Sequence, residues 1–177
     1  SLKEASAWLT YIETYAKNTL HTESDLGRRR RLWGHLYPAK DKGIHAKMDR
    51  LARNSIIQGM CSDFSLISAY LLTEYIFKNN KGKYQVPDED AWLIINLIHD
   101  SAEFEIPNKD IYTFLTKSEK FFTTRLVKTL TKEFGMKINV PFEVEYDVGK
   151  SLDKMTTWNS TLGHAKELHK QMNKKEK

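Results

Sequence analysis

Asp100 is a lone carboxylate between two apolar runs. Residues 92–107 read WLIINLIHDSAEFEIP, so an apolar stretch ends at His99-Asp100-Ser101 and a second, Ala102 to Ile106, follows at once. This pattern predicts a tight β-hairpin over 92–106 with the aspartate at its tip. A carboxylate in apolar surroundings is costly unless it is exposed at a turn or meets a positive charge. Nucleotidyl transfer needs such a group, to hold Mg²⁺ against the attacking and leaving oxygens of a phosphoryl group. The plainer alternative is an ordinary turn aspartate, a common turn residue.

A second set lies upstream in MDRLARNSIIQGMCSDF, residues 48–64. Arg50, Asn54 and Gln58 are spaced i, i+4, i+8, which puts all three on one face of a helix. Long or planar hydrogen-bonding side chains in such a row suit the minor groove, whose acceptors are much the same for every base pair. A polar, solvent-facing stripe is the alternative. Charge points the same way as the groove reading. Residues 27–53 hold nine Lys and Arg against Asp41 and Asp49, a local balance of +7 in a chain of net charge +5. The rest is therefore −2, and the concentration of positive charge marks a polyanion site.

The elements that must position these residues follow from periodicity. Residues 3–17 read as a helix with Trp8, Leu9, Ile12, Tyr15 and Ala16 on one side. Residues 20–43 are basic and irregular, broken by Gly27, Gly34, Pro38 and Gly43. A helix over 44–78, interrupted near Ser55, leads into a polar loop at 79–89. After the hairpin, 108–134 reads as a helix entered through Pro107 and Asn108. Residues 141–149 alternate Phe142, Val144, Tyr146 and Val148 with Glu143, Glu145 and Asp147, a half-exposed strand. The stretch from Ser151 is polar, and 159–177 reads as a mobile tail. With no βαβ alternation, the expectation is a single α+β domain: a small antiparallel sheet, hairpin plus C-terminal strand, packed against long helices.

Composition narrows the class. At 177 residues the chain can bury a real core, and 40% hydrophobic with 29% charged residues is globular. No run is long and apolar enough for a membrane span, and the opening SLKEASAWLT has the pattern of an amphipathic helix rather than a leader. The lone Cys61 excludes an internal disulfide and fits a reducing, cytoplasmic compartment; beside Met60 and Phe64 it reads as a small core residue. The six histidines show no zinc-ligand spacing, and there is no phosphate-cradling glycine loop. Trp33 and Tyr37, interleaved with the basic loop, suit either base stacking or packing.

Together these motifs resemble the C-terminal palm region of family A DNA polymerases. The resemblance rests on Arg50-x-Ala52-x-Asn54-x-x-x-Gln58-Gly59-x-x-x-Asp63 followed by His99-Asp100, on the upstream Gly27-Arg28-Arg29-Arg30, and on the closing PFEVEYDVG-KSLDKM. It spans roughly residues 5 to 158, with the elements in the same order. It implies that Asp100 is one of two Mg²⁺-binding aspartates of a two-ion active site and that His99 approaches the primer terminus. Arg50, Asn54 and Gln58 would track the minor groove of primer–template DNA, and Arg28, Arg29 and Arg30 would contact backbone phosphates. Deoxynucleoside triphosphates would be the other substrate, and a bacterial or bacteriophage replication or repair enzyme the setting.

Two departures qualify the resemblance. Ser101 stands where many members carry Glu, with Glu105 as an acid further along. The family's upstream strand with the second aspartate, and its fingers helix, have no counterpart in these residues. One carboxylate cannot hold two ions, so the chain alone is expected to be inactive, its missing part supplied in cis or as a split subunit. The alternatives are a non-catalytic DNA-binding module and, since His-Asp-Ser is also found at this hairpin there, a single-subunit RNA polymerase palm.

Overall fold

The computed structural model describes residues 2–79 and 91–159. It is α+β, as expected, and divides into two compact units, one ending at Asp63 and one starting at Phe64. Helix α2, Lys42–Asn79, runs through both. The expected loop at 79–89 and the tail fall almost wholly outside the described residues.

In the first unit, α1 spans Leu2–Thr19 and buries Ile12 and Ala16. Its amphipathic stripe covers core only in its second half; Leu2 stays 92% exposed. The helix stops at Leu20, which turns left-handed at φ 59° and donates its N–H to the Ala16 carbonyl. That conformation is costly for a branched side chain but ends a helix with its carbonyls satisfied. Strands β1 (His21–Glu23) and β2 (Arg29–Arg31) then form an antiparallel ribbon, in place of the irregular segment expected. Gly27, at φ 80°, makes its turn possible. A 3₁₀ turn, Trp33–Leu36, leads on toward α2. Ile12, Ala16, Leu32, Ala52 and Ile56 form one buried cluster.

The predicted break in α2 is absent. Ser55 weakens a helix when its hydroxyl competes for backbone groups. Here the Ser55 hydroxyl donates to the Ala52 carbonyl and lies 3.0 Å from that of the buried Thr22, so the side chain is satisfied without opening a turn. By length and composition α2 could also cross a membrane. Small polar residues interrupt the stretch, so it contains no long unbroken apolar run.

In the second unit, β3 (Leu93–Ile98) and β4 (Ser101–Glu105) make the predicted hairpin. Helix α3 (Ile111–Lys120) continues through a π turn, Phe121–Arg125, into α4 (Leu126–Phe134). Gly135, at φ 67°, ends it, and the N–H of Met136 returns to the Leu130 carbonyl, a C-terminal motif that favours glycine. Leu72, Ile76, Ile111, Phe114, Leu115 and Phe121 form the core, with Trp92, Phe104, Tyr146 and Val148 packed against it.

The strands do not join into one sheet. Among the described residues they form three two-stranded ribbons, the third made when β5 (Glu145–Gly149) pairs with β6 (Met155–Asn159), a strand not expected from the polar C-terminal stretch. The alternation in burial across 141–149 holds, with Phe142, Val144, Tyr146 and Val148 half-buried and the intervening acids exposed, but only Glu145–Gly149 of the expected strand is paired as one. Tyr146 is held inward with its hydroxyl 3.0 Å from that of Ser118. Burial pushes its pKa up to about 12.

Candidate nucleic-acid face and hairpin carboxylate

Arg50, Asn54 and Gln58 share one exposed face of unbroken helix in the first unit, as their spacing predicts. Ile57 and Cys61 are exposed there too, Ile57 at 53%. Cys61 is thus not a core residue. At 100° per residue it sits over Arg50 and Gln58, whereas Ala52, Ile56 and Asp63 take the buried side. Neighbouring apolar residues in the sequence do not report which side a position faces.

The arginine ribbon lies elsewhere on α2. Gly34 approaches Met48, Thr22 meets Ser55, and Arg28 passes over Gly59 to reach Asp63. These helix positions are rotated roughly 130° from the Arg50–Asn54–Gln58 row. The two basic features therefore face different directions.

Nor are all the arginines free. Arg28 grips Asp63 in a two-pronged pair: its Nε donates to Oδ2 at 3.1 Å and its Nη2 to Oδ1. Planar guanidinium and carboxylate match in this geometry. The pair raises the Arg28 pKa, through the hydrogen bond first and the charge of Asp63 second. Arg29 donates to Glu23, and Arg53 pairs with Glu13 at 3.3 Å. Arg31 lies 5.5 Å from the Trp33 ring centre. Among the described residues, Arg30 and Arg50 have no ion-pair partner. The +7 window thus overstates the free charge, since its neutralising acids, Glu13, Glu23 and Asp63, lie outside it in sequence.

A buried polar cluster that the sequence did not signal sits where the 3₁₀ turn meets α2. The His35 side chain is 1% exposed, and neither ring nitrogen has a hydrogen-bond partner among the described residues. Its Nε2 is 3.8 Å from Asp49 Oδ1, and Asp49 also pairs with Lys17 at 3.1 Å. His45 lies alongside, the two ring centres 5.8 Å apart. Burial lowers the His35 pKa below its usual 6.5, outweighing the opposing pull of Asp49; Lys17 and His45 lower it further. The unfolded chain therefore binds this proton more tightly than the folded one. Stability should be full above pH 6.5 and fall as pH drops below it toward the lowered pKa. Urea unfolding across pH 5–7 should show this slope, and His35→Phe should flatten it; equal slopes would exclude His35 as its source.

In the second unit, His99 and Asp100 form the two-residue turn between Ile98 and Ser101, with Asp100 exposed as predicted. His99 takes a left-handed φ of 53°. Such a φ is uncommon outside glycine, though histidine adopts it more readily than most. Two side chains fasten the turn: Ser65 on α2 donates to the Asp100 carbonyl at 2.9 Å, and Ser101 donates to the Ile98 carbonyl at 3.0 Å. A bulge at Ile95 shifts the register between Ile94 and Asn96. One extra residue exchanges the faces of a strand. Toward the tip, Ile95, Leu97 and Ile98 are 54%, 42% and 43% exposed.

No group of three or more His, Cys, Asp or Glu that could hold a metal occurs among the described residues. Asp100 alone does not fit a two-ion centre. The chain matches no protein-family model and no curated protein.

Proposed function

We propose that these residues are the C-terminal palm segment of a template-dependent DNA polymerase. In this reading the first unit grips primer–template DNA and the second presents Asp100 as one of the active-site carboxylates. The observation that carries the reading is the free Arg50–Asn54–Gln58 row on an unbroken helix, in one chain with an aspartate fastened at a hairpin tip. Their side chains can reach sugar and base-edge acceptors that do not depend on sequence. Arg28 and Arg29 hold Asp63 and Glu23, and the ribbon that carries Arg30 faces away from this row, so the duplex contacts rest on Arg50, Asn54 and Gln58. His99 shapes the turn beside the carboxylate.

The second carboxylate, the Mg²⁺ ions and the deoxynucleoside triphosphate grip have to come with other polymerase elements, in cis or as a partner chain. The exposed Ile95, Leu97 and Ile98 are apolar surface of the kind such elements would cover.

Primer–template binding tests the reading. The Arg50→Ala, Asn54→Ala, Gln58→Ala triple variant should weaken duplex binding by roughly a hundredfold, from about 1 kcal/mol per lost hydrogen-bonding side chain. The loss should be the same for unrelated duplex sequences. Unchanged affinity would remove the basis of the proposal. A non-catalytic DNA-binding module is the second reading, motivated by Ser101 after the hairpin aspartate.

A further inference from the structure

We propose that the β2 ribbon and the 3₁₀ turn of the first unit form a stacking site for an unpaired polynucleotide strand, separate from the α2 face assigned to duplex. Trp33 is 54% exposed and Tyr37 55% exposed, at either end of that turn. Among the described residues neither ring packs against another aromatic ring. Apolar ring surface held in water is unfavourable. Here the backbone leaves these rings little room to withdraw. Leu32, next to Trp33, is 1% exposed and anchors the segment in the core. Gly34 is seated so closely on α2 that a Cβ there would fall 2.6 Å from Met48 Cγ. His45 Nε2 lies 3.1 Å from the Tyr37 carbonyl, fastening the far end. The turn is thus held down on both sides of its exposed rings.

The charge around the rings selects the occupant. Arg31 stands over Trp33, its guanidinium 5.5 Å from the ring centre, and has no acidic partner among the described residues. Cations beside exposed aromatic faces are what a single strand needs: phosphates take the charge and splayed bases take the rings. A duplex keeps its base faces stacked internally and cannot use Trp33 and Tyr37. The site also looks away from the Arg50–Asn54–Gln58 row, so the two can act independently. This inference does not depend on the polymerase reading.

Fluorescence anisotropy of the full chain with labelled oligo(dT) and with a blunt-ended duplex tests it. Trp33→Ala and Tyr37→Ala should each weaken oligo(dT) binding by about tenfold, as expected for loss of a stacking ring, and leave duplex binding unchanged. Trp33→Phe should retain most of the affinity, which separates loss of stacking from damage to the turn. Arg50→Ala should do the reverse, weakening duplex alone. Oligo(dT) binding without duplex binding would uphold this site while removing the polymerase proposal. Three results would overturn it: no oligo(dT) binding, equal losses on both ligands, or binding to anionic phospholipid vesicles in its place with the same dependence on Trp33 and Tyr37.

Discussion

Asp100→Asn should lower template-directed nucleotide incorporation by the native polypeptide on the order of a hundredfold or more, the scale on which a group stabilising transition-state charge is lost. The substitution is clean. Asp100 is exposed and its side chain has no partner among the described residues, while its backbone carbonyl, which accepts from Ser65, is unaffected. Asparagine keeps the size and suits the same turn. Only the negative charge goes. The hairpin should therefore fold as before, and primer–template affinity should stay within about twofold, since the proposed duplex contacts lie in the other unit. Under the DNA-binding alternative the charge has no role, and function should survive the change intact.

Arg28→Ala should destabilise the first unit by about 2–3 kcal/mol, and Asp63→Asn by only about 1 kcal/mol. The asymmetry follows from burial. The Asp63 side chain is 12% exposed and that of Arg28 52%. Removing the arginine strands a carboxylate in a place water scarcely reaches. Removing the carboxylate's charge leaves a guanidinium that water can solvate, so the loss is screened. Arg28→Ala also removes the stem packed over Gly59, whose Cβ would lie 3.6 Å from Arg28 Cδ. The urea midpoints of the two variants give the ordering directly. Equal midpoints, both unchanged from wild type, would mean that the pair contributes nothing and that Arg28 is available to phosphates like Arg30.

This pair shows where sequence reading stops. The helix face of Arg50, Asn54 and Gln58 was legible, since fixed spacing on a helix implies a fixed direction. The hairpin with Asp100 at its turn was legible too, because the two apolar runs leave only His99-Asp100-Ser101 between them. The partners of Arg28, Arg29 and Arg53 were not: Asp63 is 35 positions from Arg28 and reaches it only through the fold. A local charge count sees the arginines and misses their acids. Strand β6 was hidden too. Its residues, Met155-Thr156-Thr157-Trp158-Asn159, carry no regular apolar–polar alternation. The single sheet expected from hairpin and closing strand became separate ribbons once β5 had a neighbour of its own. His35 gave no signal because a lone histidine in a basic, glycine-broken stretch looks like surface.

If these residues belong to a DNA-synthesising active site, the polypeptide that carries them must copy a template. The most direct test is primer extension by the native polypeptide carrying them, offered deoxynucleotides and ribonucleotides in parallel, with the 177-residue chain alone as comparison. The native polypeptide should extend the primer with the complementary deoxynucleotide, and the isolated chain should not. Extension by the 177 residues alone, use of ribonucleotides only, or no extension by the native polypeptide would contradict this assignment.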